Sequence, residues 1–359
     1  MSRIASVTGV LPEFRYLQHE ITDSIGSLLT ADGSPRRAVL ERLHASSGVR
    51  SRHLAMPLEA YRDLTTFGQA NDLFISLGTD LAERALRDAL TDAGLAPGDV
   101  DFILFTSVTG ISAPSIDALL VARLGLRQDV KRLPVFGLGC VAGAAGIARV
   151  HDYLQGHPGD VAVLVSVELC SLTMQPGDDS MANLVSSGLF GDGAAAVVMV
   201  GDERATALGV TGPDVVSTRS HLYPETQGVL GWGIGGSGFR IVLEANLPDV
   251  VGRYLGDDVA DLLAAHELKT GDITTWVAHT GGPKILDAAT RALDLPADAL
   301  ELSWRSLERV GNLSSSGVLH VLADTLARGG QHPGDPGVLF AHGPGVCAEL
   351  VLLRWPDQA

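Results

Sequence analysis

One local pattern occurs twice in this chain, and that duplication restricts the fold more than composition does. In the first half, Gly98-Asp-Val-Asp-Phe-Ile-Leu-Phe-Thr-Ser-Val-Thr-Gly110 is followed by a helical stretch ending at Leu126. In the second half, Gly271-Asp-Ile-Thr-Thr-Trp-Val-Ala-His-Thr-Gly281 is followed by one ending at Leu295. An amphipathic helix is predicted before each unit. Leu81, Ala85, Leu86, Ala89 and Leu90 share one face of Asp80–Ala93, and Val251, Leu255, Val259, Leu262 and Leu263 do the same in Val250–His266. Strand and helix alternating in two matched halves predict an α/β architecture of two related sheet-and-helix units.

The register of the repeat continues. Cys140 comes thirty residues after Gly110, and Asn312 comes thirty-one after Gly281. Phe190-Gly-Asp-Gly and Phe340-Ala-His-Gly-Pro-Gly each read as a glycine turn feeding an apolar strand. Cys140 and Asn312 therefore occupy matched helix starts, and His279 ends a strand before Gly281-Gly282. Such positions converge on one crevice when two sheets are related by pseudo-symmetry.

Cys140 stands in Pro134-Val-Phe-Gly-Leu-Gly-Cys-Val-Ala-Gly-Ala-Ala-Gly, which reads as strand, sharp turn and helix. A helix N-terminus favours the thiolate, and the small residues after it let another surface approach closely. Alone, a cysteine is more often a small buried hydrophobe, a strand-end histidine a satisfied one, and an asparagine beside glycine a turn residue. Together they make an acyl-transfer set. Cys140 is the nucleophile and His279, as imidazolium, holds its thiolate. His279 and Asn312 stabilise the enolate left when a malonyl thioester loses carbon dioxide.

Composition narrows the alternatives. The 359 residues are 46% hydrophobic and 19% charged, as in a compact globular protein, and the length suits two domain-sized halves. A net charge of −16 disfavours a general nucleic-acid or anionic-membrane surface. The cysteines Cys140, Cys170 and Cys347 are too sparse for a disulfide framework or a zinc site and suit a reducing compartment. No signal-peptide core or membrane-length apolar run is seen, so a cytoplasmic protein is expected. No Walker loop or dinucleotide fingerprint occurs, and no metal or redox cofactor is expected.

Several motifs closely resemble the type III polyketide synthases, the chalcone-synthase-like enzymes of the thiolase superfamily. The resemblance runs from about Gly48 to Arg354, with these motifs in family order: Gly-Leu-Gly-Cys140-Val-Ala-Gly, Gly188-Leu-Phe-Gly-Asp-Gly193, His279-Thr-Gly-Gly-Pro-Lys284, Gly311-Asn-Leu-Ser-Ser315 and Gly343-Pro-Gly345. The resemblance implies a thiolase fold, with halves 1–210 and 211–359 forming a five-layered αβαβα core. It implies catalysis by Cys140, His279 and Asn312, with malonyl-CoA and an acyl-CoA starter as substrates, no cofactor, and a homodimer. Phe190 matches the family's gatekeeper phenylalanine and Phe239 a second one, Thr173 matches a pocket position, and Gly343, Pro344 and Gly345 match the loop at the cyclisation pocket. Arg42, Arg50 and Arg52 lie where relatives place cations for coenzyme A phosphates; by themselves they are a charge run, normally solvated.

Departures from the plant pattern are local. Ala341-His-Gly-Pro-Gly345 stands where plant members usually carry Gly-Phe-Gly-Pro-Gly, and Ala113 replaces a methionine that reaches into the partner subunit. Gly238-Phe-Arg-Ile-Val-Leu243 and Gly345-Val-Cys-Ala-Glu-Leu350 look most like actinobacterial enzymes that turn fatty acyl starters into alkylresorcinols or alkylpyrones. Small residues near Thr173 (Ser171, Ser186, Ser187, Gly188) would leave room for an acyl tail. Three rivals are weighed. A ketoacyl-carrier-protein synthase III usually has His-Gln-Ala-Asn in place of His279-Thr-Gly-Gly-Pro. A thiolase needs a second catalytic cysteine, and Cys347 follows the wrong glycine motif. A non-catalytic acyl-CoA-binding scaffold has no reason to keep all three groups in register.

Overall fold

Apolar runs separated by glycine turns give thirteen strands among residues 1–356, the part of the chain this computed structural model describes. In chain order they are β1 (Ser2–Val10), β2 (Phe14–Leu17), β3 (Ser51–Leu54), β4 (Phe102–Thr106), β5 (Lys131–Val135), β6 (Val161–Leu169), β7 (Asp192–Gly201), β8 (Asp214–Leu222), β9 (Leu230–Gly235), β10 (Gly238–Leu243), β11 (Thr275–Ala278), β12 (Pro336–Gly343) and β13 (Cys347–Arg354). Nine of them join in the order β11-β12-β13-β8-β1-β7-β6-β4-β5, while β2–β3 and β9–β10 form separate pairs.

The seam between β8 and β1 is only two residue pairs, Ser2 with Val215 and Arg3 with Asp214. The nine strands are thus two sheets meeting at a narrow joint. In the first, β5, β4 and β6 are parallel and β7 and β1 antiparallel; in the second, β11 and β12 are parallel and β13 and β8 antiparallel. This common order is the structural form of the sequence repeat, with β4 answering to β11 and β7 to β13.

Side-chain alternation sorts the apolar residues into three cores. Ile103, Phe105, Val163 and Val165 face the long helix Phe67–Asp92 through Leu81, Ala85 and Leu86. Trp276, Ala278, Val338 and Phe340 face the helices Leu247–Ala264 and Pro283–Ala292. The intervening residues, among them Leu104, Leu164, Val277 and Leu339, enclose the helices Ala142–Gln155 and Gly317–Arg328 between the sheets. The stack is helices, sheet, helices, sheet, helices. Because both faces of each sheet are covered, the strands read as continuous apolar runs.

Both predicted amphipathic faces are buried as expected. The first helix starts earlier than its apolar stripe, at Phe67, because Thr66 caps it by accepting from the Gln69 N–H at 3.3 Å. One pairing within the repeat differs: Phe340 lies inside β12, whereas Phe190 precedes β7 outside any strand, so only the strands after the two turns correspond. No described helix is long and apolar enough to cross a membrane.

Candidate active site

Cys140 sits where the sequence places a turn. β5 ends at Val135, Gly137 and Gly139 adopt φ of +99° and +57°, and a single 3-10 turn, Gly139–Val141, leads into the helix Ala142–Gln155. Gly139 is required twice over. Its φ is left-handed, and a Cβ there would lie 2.5 Å from Pro344 Cδ. A Cβ at Gly143 would meet the Ser315 carbonyl at 2.3 Å, so the small residues after the thiol admit the other half of the protein.

Asn312 is fixed from both sides. Its N–H donates to the Leu189 carbonyl at 2.9 Å, and its carbonyl accepts from the Gly191 N–H at 3.0 Å, which binds it to the backbone around Phe190. Its Oδ1 accepts from the Ser314 N–H at 2.8 Å. With the oxygen engaged, the amide NH₂ is the end free to donate to a ligand. Ser314 holds this turn at φ 50°, an uncommon conformation for a residue with a side chain.

His279 follows β11, and its backbone N–H donates to the Phe340 carbonyl at 3.0 Å. A Cβ at Gly317 would lie 3.2 Å from its Nδ1, so the ring lies close over the start of the facing helix. Both ring nitrogens are buried without a hydrogen-bond partner. Burial pushes its pKa down to about 3, with His342 adding to the fall. Burial pushes the Cys140 thiol up to about 12. Burial therefore favours a neutral thiol and a neutral imidazole over the expected imidazolium–thiolate pair. Desolvation of both charges outweighs the helix N-terminus.

These three side chains line one cavity of about 40 Å³, together with Phe190, His342 and apolar residues from β9, β10 and the helix Leu247–Ala264. Phe190 and Ile241 also wall a second cavity of similar size that holds Ser171, Thr173, Ser186 and Ser187. Ser171, Thr173 and Met174 in turn wall a third, of about 330 Å³, which contains Phe239. Three spaces thus follow one another outward from the thiol. Phe190 stands at the first partition and Thr173 at the second.

Other expected site residues fall elsewhere. Phe239 does not line the thiol's cavity; it lines the third one and packs edge-on against Phe67 at 5.4 Å. Gly343, Pro344 and Gly345 do not line that cavity. A Cβ at Gly343 would lie 2.6 Å from the Leu138 carbonyl, Pro344 fills the space over Gly139, and the Gly345 N–H donates to the Leu230 carbonyl at 2.8 Å. The loop braces the nucleophile turn, and the cavity receives His342 from it instead.

Arg52 also differs from expectation. It is 2% exposed, donating through Nη1 to the Phe190 carbonyl at 2.6 Å and through Nε to Gln18 Oε1 at 3.1 Å. Packed beneath the Phe190 turn and facing inward, it is not placed to meet a surface phosphate. Arg42 and Arg50 are exposed; Arg50 pairs loosely with Glu308 at 3.4 Å.

Sequence reasoning missed the layer under the thiol. Cys140 Sγ donates to Ser314 Oγ at 3.6 Å, and Ser314 Oγ donates to Glu168 Oε1 at 3.2 Å. Glu168 is fully buried at the end of β6 and accepts also from Ser315 Oγ, Ser107 Oγ, Thr109 Oγ1 and the Val108 N–H. Burial raises its pKa despite these donors. Nothing local marks Glu168 except its charge, which was a signal in a strand whose other residues are apolar but for Ser166.

Comparison with known proteins identifies the family. Residues 4–203 match the family described as chalcone and stilbene synthases, N-terminal domain, and residues 214–355 the corresponding C-terminal domain. The chain is 56% identical to a 1,3,6,8-tetrahydroxynaphthalene synthase of Streptomyces peucetius subsp. caesius, over 98% of this chain and 93% of the relative. It is 30% identical to a phloroglucinol synthase of Pseudomonas fluorescens, over 99% of each chain. The crystal structure of the 1,3,6,8-tetrahydroxynaphthalene synthase of Streptomyces coelicolor, a bacterial type III polyketide synthase, superposes with a TM-score of 0.92 at 30% identity, over 99% of both chains. The chain belongs to the chalcone and stilbene synthase family and is a type III polyketide synthase, an acyltransferase.

Proposed function

We propose that Cys140 carries the growing acyl chain and that His279 and Asn312 serve each decarboxylative condensation. The observation that carries this is the shared cavity of Cys140, His279, Asn312 and Phe190. A neutral His279 accepts the thiol proton as Cys140 attacks the starter thioester; the bond to coenzyme A sulfur breaks and the departing thiolate takes up a proton. The His279 N–H and the Asn312 NH₂ then donate to the thioester oxygen of a malonyl unit. Carbon dioxide leaves, the enolate is held, and its carbon attacks the acyl group on Cys140; the acyl–sulfur bond breaks, Cys140 leaves as a thiolate that takes up a proton, and the extended chain, now on coenzyme A, is passed back to the thiol for the next round. Phe190 keeps water from this step by closing the first partition. Arg42 and Arg50 are the exposed cations available to coenzyme A phosphates.

For the product, the 56% identity to a tetrahydroxynaphthalene synthase favours a polyhydroxylated aromatic over the alkylresorcinol or alkylpyrone suggested by local motifs. The space at the thiol is about 40 Å³, and the 330 Å³ space beyond is lined by Thr65, Thr66, Asn71, Ser171, Thr173 and Gln175 among others. These hydroxyl and amide groups suit a chain bearing oxygen on alternate carbons, while Leu28, Leu64, Leu172, Met174 and Phe239 on the same walls would take an apolar stretch. A naphthalene skeleton divides into two-carbon units with no alkyl remainder, so malonyl-CoA alone suffices to build it.

A homodimer accords with β5, an edge strand whose outer side is unpaired. Leu133 and Phe136 are 42% and 48% exposed in or beside it.

The test incubates the enzyme with malonyl-CoA alone and with acetyl-, hexanoyl- and lauroyl-CoA, followed by mass spectrometry. A tetrahydroxynaphthalene from malonyl-CoA alone is the expected result. Products only with lauroyl-CoA would restore the fatty-acyl reading. A single condensation requiring acyl-carrier protein would indicate a synthase III-like enzyme, and no turnover with Cys140→Ala indistinguishable from the unsubstituted protein would leave a binding scaffold. Light scattering reads the mass of the assembly, and a monomer sinks the dimer.

A further inference from the structure

Besides Cys140, His279 and Asn312, the cavity at the thiol has one more polar side chain, His342. It lies on β12 with Phe340 on the same face, and it is 6% exposed. Its ring centre is 6.2 Å from that of Phe340 and 6.4 Å from that of Tyr223, so aromatic packing holds it in place. Its Nε2 is buried with no hydrogen-bond partner. A buried, unpaired imidazole nitrogen is unfavourable unless a ligand completes it. The remaining walls, including Leu230, Ile241, Leu243 and Leu247, offer no side-chain hydrogen bond.

We propose that His342 is a specificity-determining residue that hydrogen-bonds the oxygens of the β-keto chain growing on Cys140, selecting oxygenated chains over alkyl ones. This rests on the synthase reading above and names the substrate class of the same site. Burial pushes the His342 pKa down to about 4, so the ring is neutral and carries one donor and one acceptor. A β-diketone presents the complementary pair, a carbonyl acceptor and, in its enol form, a hydroxyl donor. His279 and Asn312 are occupied at the thioester oxygen during each condensation, which leaves His342 for the oxygens further along. An alkyl chain would leave its Nε2 unpaired, and a site built to hydrogen-bond its substrate discriminates strongly against an analogue lacking the group.

The test compares the unsubstituted enzyme with His342→Phe, which keeps a planar ring, and His342→Gln, which keeps a donor and an acceptor. Each receives malonyl-CoA alone and, separately, malonyl-CoA with competing acetyl- and hexanoyl-CoA. Products are counted by mass spectrometry relative to carbon dioxide released. The expected result for His342→Phe is at least a fivefold fall in fully extended products relative to early-released lactones. A rise in the hexanoyl-to-acetyl ratio of kcat/KM accompanies it, and His342→Gln recovers at least half of the product ratio. An unchanged product ratio and starter preference in His342→Phe overturns the proposal. So does an equal loss in both variants, since packing alone would explain it. If His342→Phe fails to give a cooperative thermal transition, His342→Leu is read in its place. Failure of the synthase reading looks different: the unsubstituted enzyme would then release no carbon dioxide from malonyl-CoA.

Discussion

The Cys140 thiol hydrogen-bonds Ser314 Oγ at 3.6 Å, and through that hydroxyl it is linked to the buried carboxyl of Glu168. The hydroxyl can turn to donate to a thiolate, and it lowers the thiol pKa against the larger effect of burial. Ser314→Ala should raise that pKa further. Loss of one hydrogen bond to a charged sulfur corresponds to about 2 kcal/mol, and so to roughly thirtyfold slower alkylation. The rate of Cys140 alkylation by iodoacetamide between pH 7 and 9 checks this; an unchanged rate would show that Ser314 does not act on the thiol.

Arg52 and Arg42 should separate cleanly. Arg52 is buried against the Phe190 carbonyl and Gln18, and Asp192 is close enough for its charge to favour the guanidinium. Arg52→Ala should destabilise the fold by about 3–5 kcal/mol, as expected when one partner of a buried charged network is removed. Arg42→Ala, on an exposed helix turn, should leave the melting temperature within a degree or two and raise KM for malonyl-CoA about threefold. Differential scanning fluorimetry and initial rates read both. The assignment of roles fails if the two substitutions exchange behaviours.

Acid should destabilise the protein through its histidines. Burial holds His44 and His279 at about 3 and His342 at about 4. An unfolded histidine titrates near 6.5, so between these values and 6.5 the unfolded chain binds more protons than the folded one. The stability these rings contribute is full above pH 6.5 and is lost as pH falls. At pH 5 the loss is about 2 kcal/mol for each. Urea unfolding at pH 7 and pH 5 measures it, and His44→Gln should make the dependence shallower. Equal stability at both values would mean that the folded chain takes up as many protons over this range as the unfolded one, and that the rings are not held neutral by burial.

Phe190 separates the thiol's cavity from the one holding Thr173. Phe190→Ala should merge the two. Longer starters then gain relative to short ones, by about tenfold in the octanoyl-to-acetyl ratio of kcat/KM, the size of discrimination a few methylenes give in an apolar pocket. Starter competition assays provide the ratio. If it does not move, the partition is not a barrier to the chain.

Much of the site was legible because its chemistry depends on local motifs. Cys140 and Asn312 each follow a glycine and precede a helix, and His279 ends an apolar strand. Their meeting follows from duplication, which brings matched positions to one crevice. Arg52 was misplaced because its arginine neighbours are solvated; only long-range partners, Gln18 and the Phe190 carbonyl, show that it faces inward. Glu168 was missed for the same reason, since its donors come from segments about 60 and about 146 residues away. The lowered pKa of His279 was also beyond motif reading, because it depends on how completely packing excludes water from the ring.

Pro344 belongs to the second half, and it rests on Gly139 in the first, beside the nucleophile. The turn that aims Cys140 is therefore shaped by a residue some two hundred positions away. Recombining halves from two relatives would join a nucleophile to a wedge it did not evolve with. Breeding new synthases by chimera should succeed only where both sides of this contact are inherited together.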